Sequence, residues 1–124
     1  METQVVQYCG DNSARTVTGV NDRRVFAETT PPLNAFATRT PADPKRGTSL
    51  ATIEGYVTSA EQNGGGWVQL TFHHICDGCD AYSIPAAMMQ SLLDWLNTQV
   101  TAGAAAVETT KQVIGGSYVT PFCC

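Results

Sequence analysis

The stretch Trp67-Val-Gln-Leu-Thr-Phe-His73-His74-Ile-Cys76-Asp-Gly-Cys79-Asp80 decides how the chain is read. It holds both histidines and two of the five cysteines. The apolar, β-prone run from Trp67 to His73 reads as a strand. Val68, Leu70 and Phe72 then point to one face, and Trp67, Gln69, Thr71 and His73 to the other. The run breaks into a polar, cysteine-bearing turn. Strand ends that open into polar loops are where α/β folds place their chemistry, so this stretch is the leading candidate for a functional site.

Upstream, Gly64-Gly65-Gly66 ends a helix that starts at a Thr48 or Ser49 cap and runs to about Asn63. Leu50, Ile53, Tyr56, Val57 and Ala60 recur at three-four spacing, which predicts a core-facing stripe. From Thr18 to Gly47 no periodicity emerges, and Pro31, Pro32, Pro41 and Pro44 punctuate the segment. It reads as a long irregular loop, either functional or poorly ordered. Glu2 to Cys9 reads as the last turns of a helix stopped by Gly10, and Ser13 to Val17 as a short strand.

Downstream, Ser83 is the expected N-cap of a helix with Pro85 near its first turn. Met88, Leu92, Leu93, Trp95 and Leu96 give it an apolar face, and it ends near Asn97. Ala106 to Glu108 reads as one more short strand. Thr109 or Thr110 caps a last helix through Ile114, closed by Gly115-Gly116. Strands alternating with helices argue an α/β layer with parallel strands, in a single domain.

The 124 residues suit one modest core. With 43% apolar and 15% charged residues the composition is globular and poor in charge. A net charge of −4 argues against the cationic surface that nucleic acid requires. No window approaches the roughly 18 apolar residues of a membrane span. The first nine residues have no basic n-region and no long apolar h-region, so no signal peptide is expected in this chain. An odd number of cysteines leaves a thiol over or implies a missing partner. The cysteines suggest export while the N-terminus does not, and a chain that is part of a longer parent reconciles the two.

Three chemistries are open to the central stretch. His73, on the more polar face of a strand end, is a candidate general acid or base near neutral pH; a histidine bonded to backbone is the structural alternative. His73, His74, Cys76 and Cys79 are all zinc-type ligands. However, adjacent strand residues face opposite ways, and one C-x-x-C without a second pair is a weak zinc signal. Cys76 and Cys79 also suit a small disulfide that stiffens the loop in an oxidising compartment. A thioredoxin-like role fits less well, because that C-x-x-C opens a helix and here a helix begins only near Ser83. Asp77 and Asp80 match no calcium loop. Cys123-Cys124 is a vicinal pair at the end of the sequence. Arg23, Arg24, Lys45 and Arg46 read as solvated loop charges, and Arg39 is open to the same reading.

Taken together, Gly64 to Ser83 resembles the C-terminal part of secreted bacterial polysaccharide deacetylases of the NodB-homology type. Cys-Gly-Asp-Asn-Ser-Ala-Arg at 9–15 resembles that family's helix-to-strand turn. Ala-Glu-Thr-Thr-Pro-Pro at 27–32 and Ala-Thr-Arg-Thr-Pro at 37–41 resemble its long loop. Leu92 to Leu96 and Lys111 to Gly116 resemble its final helices. No single piece is diagnostic; their order carries the resemblance, which covers nearly the whole chain.

The resemblance implies a distorted (β/α) barrel and metal-assisted removal of acetyl groups from a sugar polymer. It implies a secreted protein. In that family a late Leu-x-x-His motif supplies the general acid, and Leu70-Thr71-Phe72-His73 matches it. The resemblance thus assigns the general-acid role to His73 and a place in the acetyl pocket to Leu70. His74 stands where an Asp often follows. The family's Thr-Phe-Asp-Asp-Gly and His-x-x-x-His motifs, which hold a divalent metal (commonly zinc) and include the base, are not in this sequence. The expectation is therefore a partial barrel, its C-terminal half, with no metal ligands or cofactor of its own and inactive alone. Its expected partners are an acetylated polysaccharide and a missing N-terminal half or a second copy. The alternatives are a non-catalytic carbohydrate-binding or assembly module, and a small metal or redox protein built on His73, His74, Cys76 and Cys79.

Overall fold

The computed structural model describes residues 9–21 and 24–117. The helix expected over Glu2 to Cys9 thus lies almost wholly outside the described residues, as do Arg23 and the Cys123-Cys124 pair. The described chain runs β1 (Arg15–Gly19), β2 (Thr38–Thr40), α1 (Leu50–Gln62), β3 (His74–Ile75), β4 (Ser83–Ile84), α2 (Ala86–Thr101) and α3 (Thr110–Ile114). It is a small α/β arrangement whose described strands form two separate two-stranded parallel sheets, β1 with β2 and β3 with β4.

β1 starts and ends two residues later than Ser13 to Val17, and its partner comes from within the segment read as an irregular loop. Arg15 faces Thr38 and Gly19 faces Thr40, with an irregularity between them. Threonine hydroxyls fill that gap. Thr38 Oγ1 donates to the Ala14 carbonyl and Thr40 Oγ1 to the Thr16 carbonyl, each at 3.3 Å. Thr16 Oγ1 donates to the Thr38 carbonyl at 3.0 Å. Both β2 threonines are fully buried, so these bonds satisfy groups that would otherwise be costly to bury.

The run from Trp67 to His73 is not a regular strand. Its one backbone pairing is an antiparallel bridge, Trp67 N–H to Glu28 O at 2.8 Å and Glu28 N–H to Trp67 O at 2.9 Å. Beyond it a side chain takes the place of a ladder. Gln69 Nε2 donates to Thr38 Oγ1 at 2.9 Å and to the Arg39 carbonyl at 3.1 Å. The inserted amide holds the run a side chain's length from β2. Strand geometry appears only at His74–Ile75, against Ser83–Ile84.

α1 follows from local signals. Ser49 Oγ accepts the Thr52 N–H at 3.1 Å. At the other end, Asn63 Nδ2 donates to the Ser59 carbonyl and the Gly65 N–H to the Ala60 carbonyl. Of its stripe, Ile53 and Ala60 are buried and Leu50, Tyr56 and Val57 half-buried. α2 starts later than a Ser83 cap would allow. Ser83 lies buried in β4 and spends its hydroxyl on the Asp80 carbonyl at 2.8 Å. Pro85 biases Ile84 toward extended backbone, and Pro85 itself occupies the N-cap. The helix also outruns Asn97 and continues to Thr101, with the Thr98 and Thr101 hydroxyls turned back onto the Trp95 and Asn97 carbonyls. Ala106 to Glu108 forms no strand among the described residues. α3 begins in a full capping box between Thr109 and Gln112, and the Gly115 carbonyl beyond it accepts Asn12 Nδ2 at 3.0 Å.

Val20, Ile53, Ala60, Ile84 and Leu92 are buried, and so are Pro41 and Pro44. α1 packs on α2, and between the helices and the Trp67–Phe72 run lies an open concavity of about 820 Å3. Val57, Leu70, Phe72, Leu92, Leu96 and Val107 are among its lining. It is open to solvent: Leu93 and Val107, which line it, are 52% and 71% exposed.

Candidate functional site

The segment between β2 and α1 and the loop between β3 and β4 meet at the end of the Trp67–Phe72 run. Pro41 and Pro44 are buried on either side of Asp43, which fixes the backbone direction there. The Arg46 N–H donates to the Ala81 carbonyl at 3.0 Å, and Thr48 Oγ1 accepts the Lys45 N–H at 2.9 Å. Asp43 is thereby presented to His73, with His73 Nε2 and Asp43 Oδ2 3.0 Å apart.

The His73 side chain is 41% exposed and that of Asp43 is 15% exposed. Tyr82 stands edge-on to the imidazole, ring centroids 5.2 Å apart at 66°. Lys45 Nζ lies 5.1 Å from the centre of the Tyr82 ring. The second carboxylate oxygen, Asp43 Oδ1, is buried and has no hydrogen-bond partner. A buried acceptor left so costs about 1–3 kcal/mol. A carboxylate on one nitrogen of an exposed imidazole orients the ring and leaves the other nitrogen for proton exchange.

His74 goes elsewhere. Its Nδ1 contacts Asp80 Oδ2, and Asp80 Oδ1 accepts the Tyr82 N–H at 2.7 Å. Cys76 and Cys79 are joined in a disulfide with Cα atoms 5.9 Å apart. The set His73, His74, Cys76 and Cys79 is thus divided. His73 belongs with Asp43 and Tyr82, and His74 with Asp80 and the disulfide. Alternation along extended backbone produces this split.

Leu70 lines the concavity and is half-buried. Arg39 is not a solvated loop charge. It donates through Nε to Glu28 Oε2 at 3.1 Å and through Nη2 to Glu28 Oε1 at 2.6 Å. Glu28 is 2% exposed. Burial raises its carboxyl pKa, but the Arg39 guanidinium, the Arg39 N–H and the Thr29 N–H outweigh burial and hold it at about 2 instead of 4.5. The same bond raises the pKa of Arg39. Glu28 also makes the Trp67 bridge, so the ion pair anchors the run that ends in His73.

Sequence reading missed Asp43 and Glu28. Asp43 had one signal, an acidic residue between two prolines in a chain poor in charge. Glu28 had none, since its partner lies across a non-local contact. Among the described residues no helix is long and apolar enough to cross a membrane. Set against protein-family models, curated proteins and solved structures, the chain matches none of them.

Proposed function

We propose that these residues form the second half of a metal-dependent polysaccharide deacetylase barrel of the NodB type, secreted, acting on an acetylated sugar polymer. His73 is its general acid, Asp43 positions that imidazole, and Leu70 lines the acetyl pocket. The observation that carries the reading is the contact between exposed His73 and largely buried Asp43. Removing an acetyl group requires a proton on the departing sugar atom, and an oriented imidazole supplies one near neutral pH.

The residues present do not make the family's Asp-His-His metal set, because His73 is taken by Asp43 and His74 by Asp80. The hydrolytic metal, its water and the base therefore belong to a partner half. The open apolar concavity supports such a partner. It equally favours a second reading, an assembly module without chemistry.

The test is zinc-dependent hydrolysis of an acetylated chitooligosaccharide. It is run on the chain alone, and on the chain co-expressed with an N-terminal half carrying Thr-Phe-Asp-Asp-Gly and His-x-x-x-His. The chain alone should be silent and the pair active, with activity lost in His73→Ala. A pair that assembles yet stays silent favours the assembly module. Turnover that survives His73→Ala removes the general-acid assignment.

A further inference from the structure

We propose that the β3–β4 loop becomes a zinc site when its disulfide is reduced, with His74 Nδ1, Cys76 Sγ, Cys79 Sγ and Asp80 Oδ2 as ligands. The site is distinct from the deacetylase reading and does not rest on it.

The argument begins with convergence. One ligand atom each from His74, Cys79 and Asp80 lie within 4.8 Å of one another. Cys76 Sγ is bonded to Cys79 Sγ, so a fourth ligand atom sits in the same place. Tetrahedral zinc at about 2.0–2.3 Å from its ligands needs them roughly 3.5 Å apart. The proposal requires the four side chains to rotate to that spacing once the sulfurs separate. Two thiolates, an imidazole and a carboxylate favour zinc over calcium or magnesium, which take oxygen ligands.

The loop is already shaped for this. The β3–β4 register sets His74 opposite Ser83. The Cys76 N–H donates to the Ile84 carbonyl at 3.0 Å. Gly78, at φ +71°, turns the chain so that its N–H reaches the Cys76 carbonyl at 2.9 Å. The Tyr82 N–H holds Asp80 Oδ1, which leaves Oδ2 turned toward His74. Such outer contacts orient metal ligands. His73 is kept out by Asp43.

The chemistry balances with a dithiol as reductant. Two electrons and two protons pass to the protein, the S–S bond breaks, two thiols form, and the dithiol leaves as its own disulfide. Zinc then displaces both thiol protons to water and binds two thiolates. As the metal binds, Nδ1 gives up the proton it turns toward Asp80 Oδ2, and the ring keeps its proton on Nε2. In the oxidised loop the sulfurs are bonded to each other and His74 is bonded to Asp80, so there is no site.

The experiment uses the full chain, oxidised or reduced with dithiothreitol and then freed of it without air, titrated with Co2+ and back-titrated with Zn2+. The reduced chain should take one Co2+ with the visible bands of tetrahedral thiolate coordination, bleached by Zn2+. The oxidised chain should show none. His74→Ala and Asp80→Ala should weaken the complex, Cys79→Ser should abolish it, and His73→Ala should leave it intact. The triple variant Cys9→Ser/Cys123→Ser/Cys124→Ser should bind as wild type does. Absence of stoichiometric metal in the reduced chain overturns the proposal. So does binding that needs His73, or that is lost in a triple variant whose circular dichroism matches wild type. Reduced wild type against reduced Cys76→Ser and Cys79→Ser, each shown by circular dichroism to keep the fold, assigns the metal to the loop, and equal binding in the three overturns the proposal.

Discussion

Arg39 holds Glu28 through both carboxylate oxygens and adds its own backbone N–H to Oε2 at 2.8 Å. Two glycines make room for the pair. A Cβ on Gly19 would lie 2.8 Å from Arg39 Cγ, and one on Gly66 would lie 2.6 Å from the Glu28 carbonyl oxygen. One buried contact thereby joins β2, the segment before it and the start of the Trp67–Phe72 run.

Stability should fall in acid because of Glu28. Its folded pKa is depressed from 4.5 to about 2, so the stabilisation is complete above the unfolded value and is lost as pH falls through both. The linked free energy is about 3 kcal/mol, a large share of a small domain's stability. Urea midpoints between about pH 5 and about pH 2 should drop steeply for wild type and less for Glu28→Gln. Parallel acid profiles for the two would remove this assignment.

Breaking the pair from one side should be worse than removing it whole. Arg39→Ala leaves a buried carboxylate unpaired, at a cost of about 3–5 kcal/mol. The double variant Glu28→Gln/Arg39→Met should lose less than the sum of the single losses. A cycle of denaturation midpoints measures this, and strict additivity would contradict it.

Two glycine substitutions should move stability in opposite directions. Gly66 sits at φ +127° against backbone, so Gly66→Ala should cost about 1–3 kcal/mol. Gly55 lies inside α1 with nothing within 4 Å of an added Cβ. There Gly55→Ala should stabilise by about 0.5–1 kcal/mol. Thermal melts of the two variants check both signs.

Asp43 should govern the His73 ring without contributing to the fold's core. Nitrogen-15 shifts should place a proton on His73 Nε2 in wild type, and Asp43→Ala should shift the ring toward mixed tautomers. In a reconstituted enzyme the same change should lower turnover about 10–100-fold. An unchanged tautomer in Asp43→Ala would separate the two residues functionally.

α1 and α3 are legible in the sequence because their caps are local: Ser49 serves Thr52, and Thr109 serves Gln112. The disulfide is legible from a three-residue spacing. β2 is not, because Thr38 to Thr40 has too short a pattern and is stabilised by hydroxyl-to-carbonyl bonds with β1, more than twenty residues away. The Trp67–His73 run misleads for a similar reason. Its composition favours extended backbone, but a ladder needs a neighbour, and Gln69 keeps β2 at a distance. His73 is found from its position at the end of that run, while Asp43 becomes visible only when the prolines around it are seen to turn the chain.

The concavity beside α2 has a consequence for handling the protein. Its lining is largely aliphatic and aromatic, so an associate that covers it gains mainly by releasing water. Such release carries a negative heat-capacity change, and its driving force fades on cooling. A complex formed across this face is therefore cold-labile, firmer on the bench than on ice.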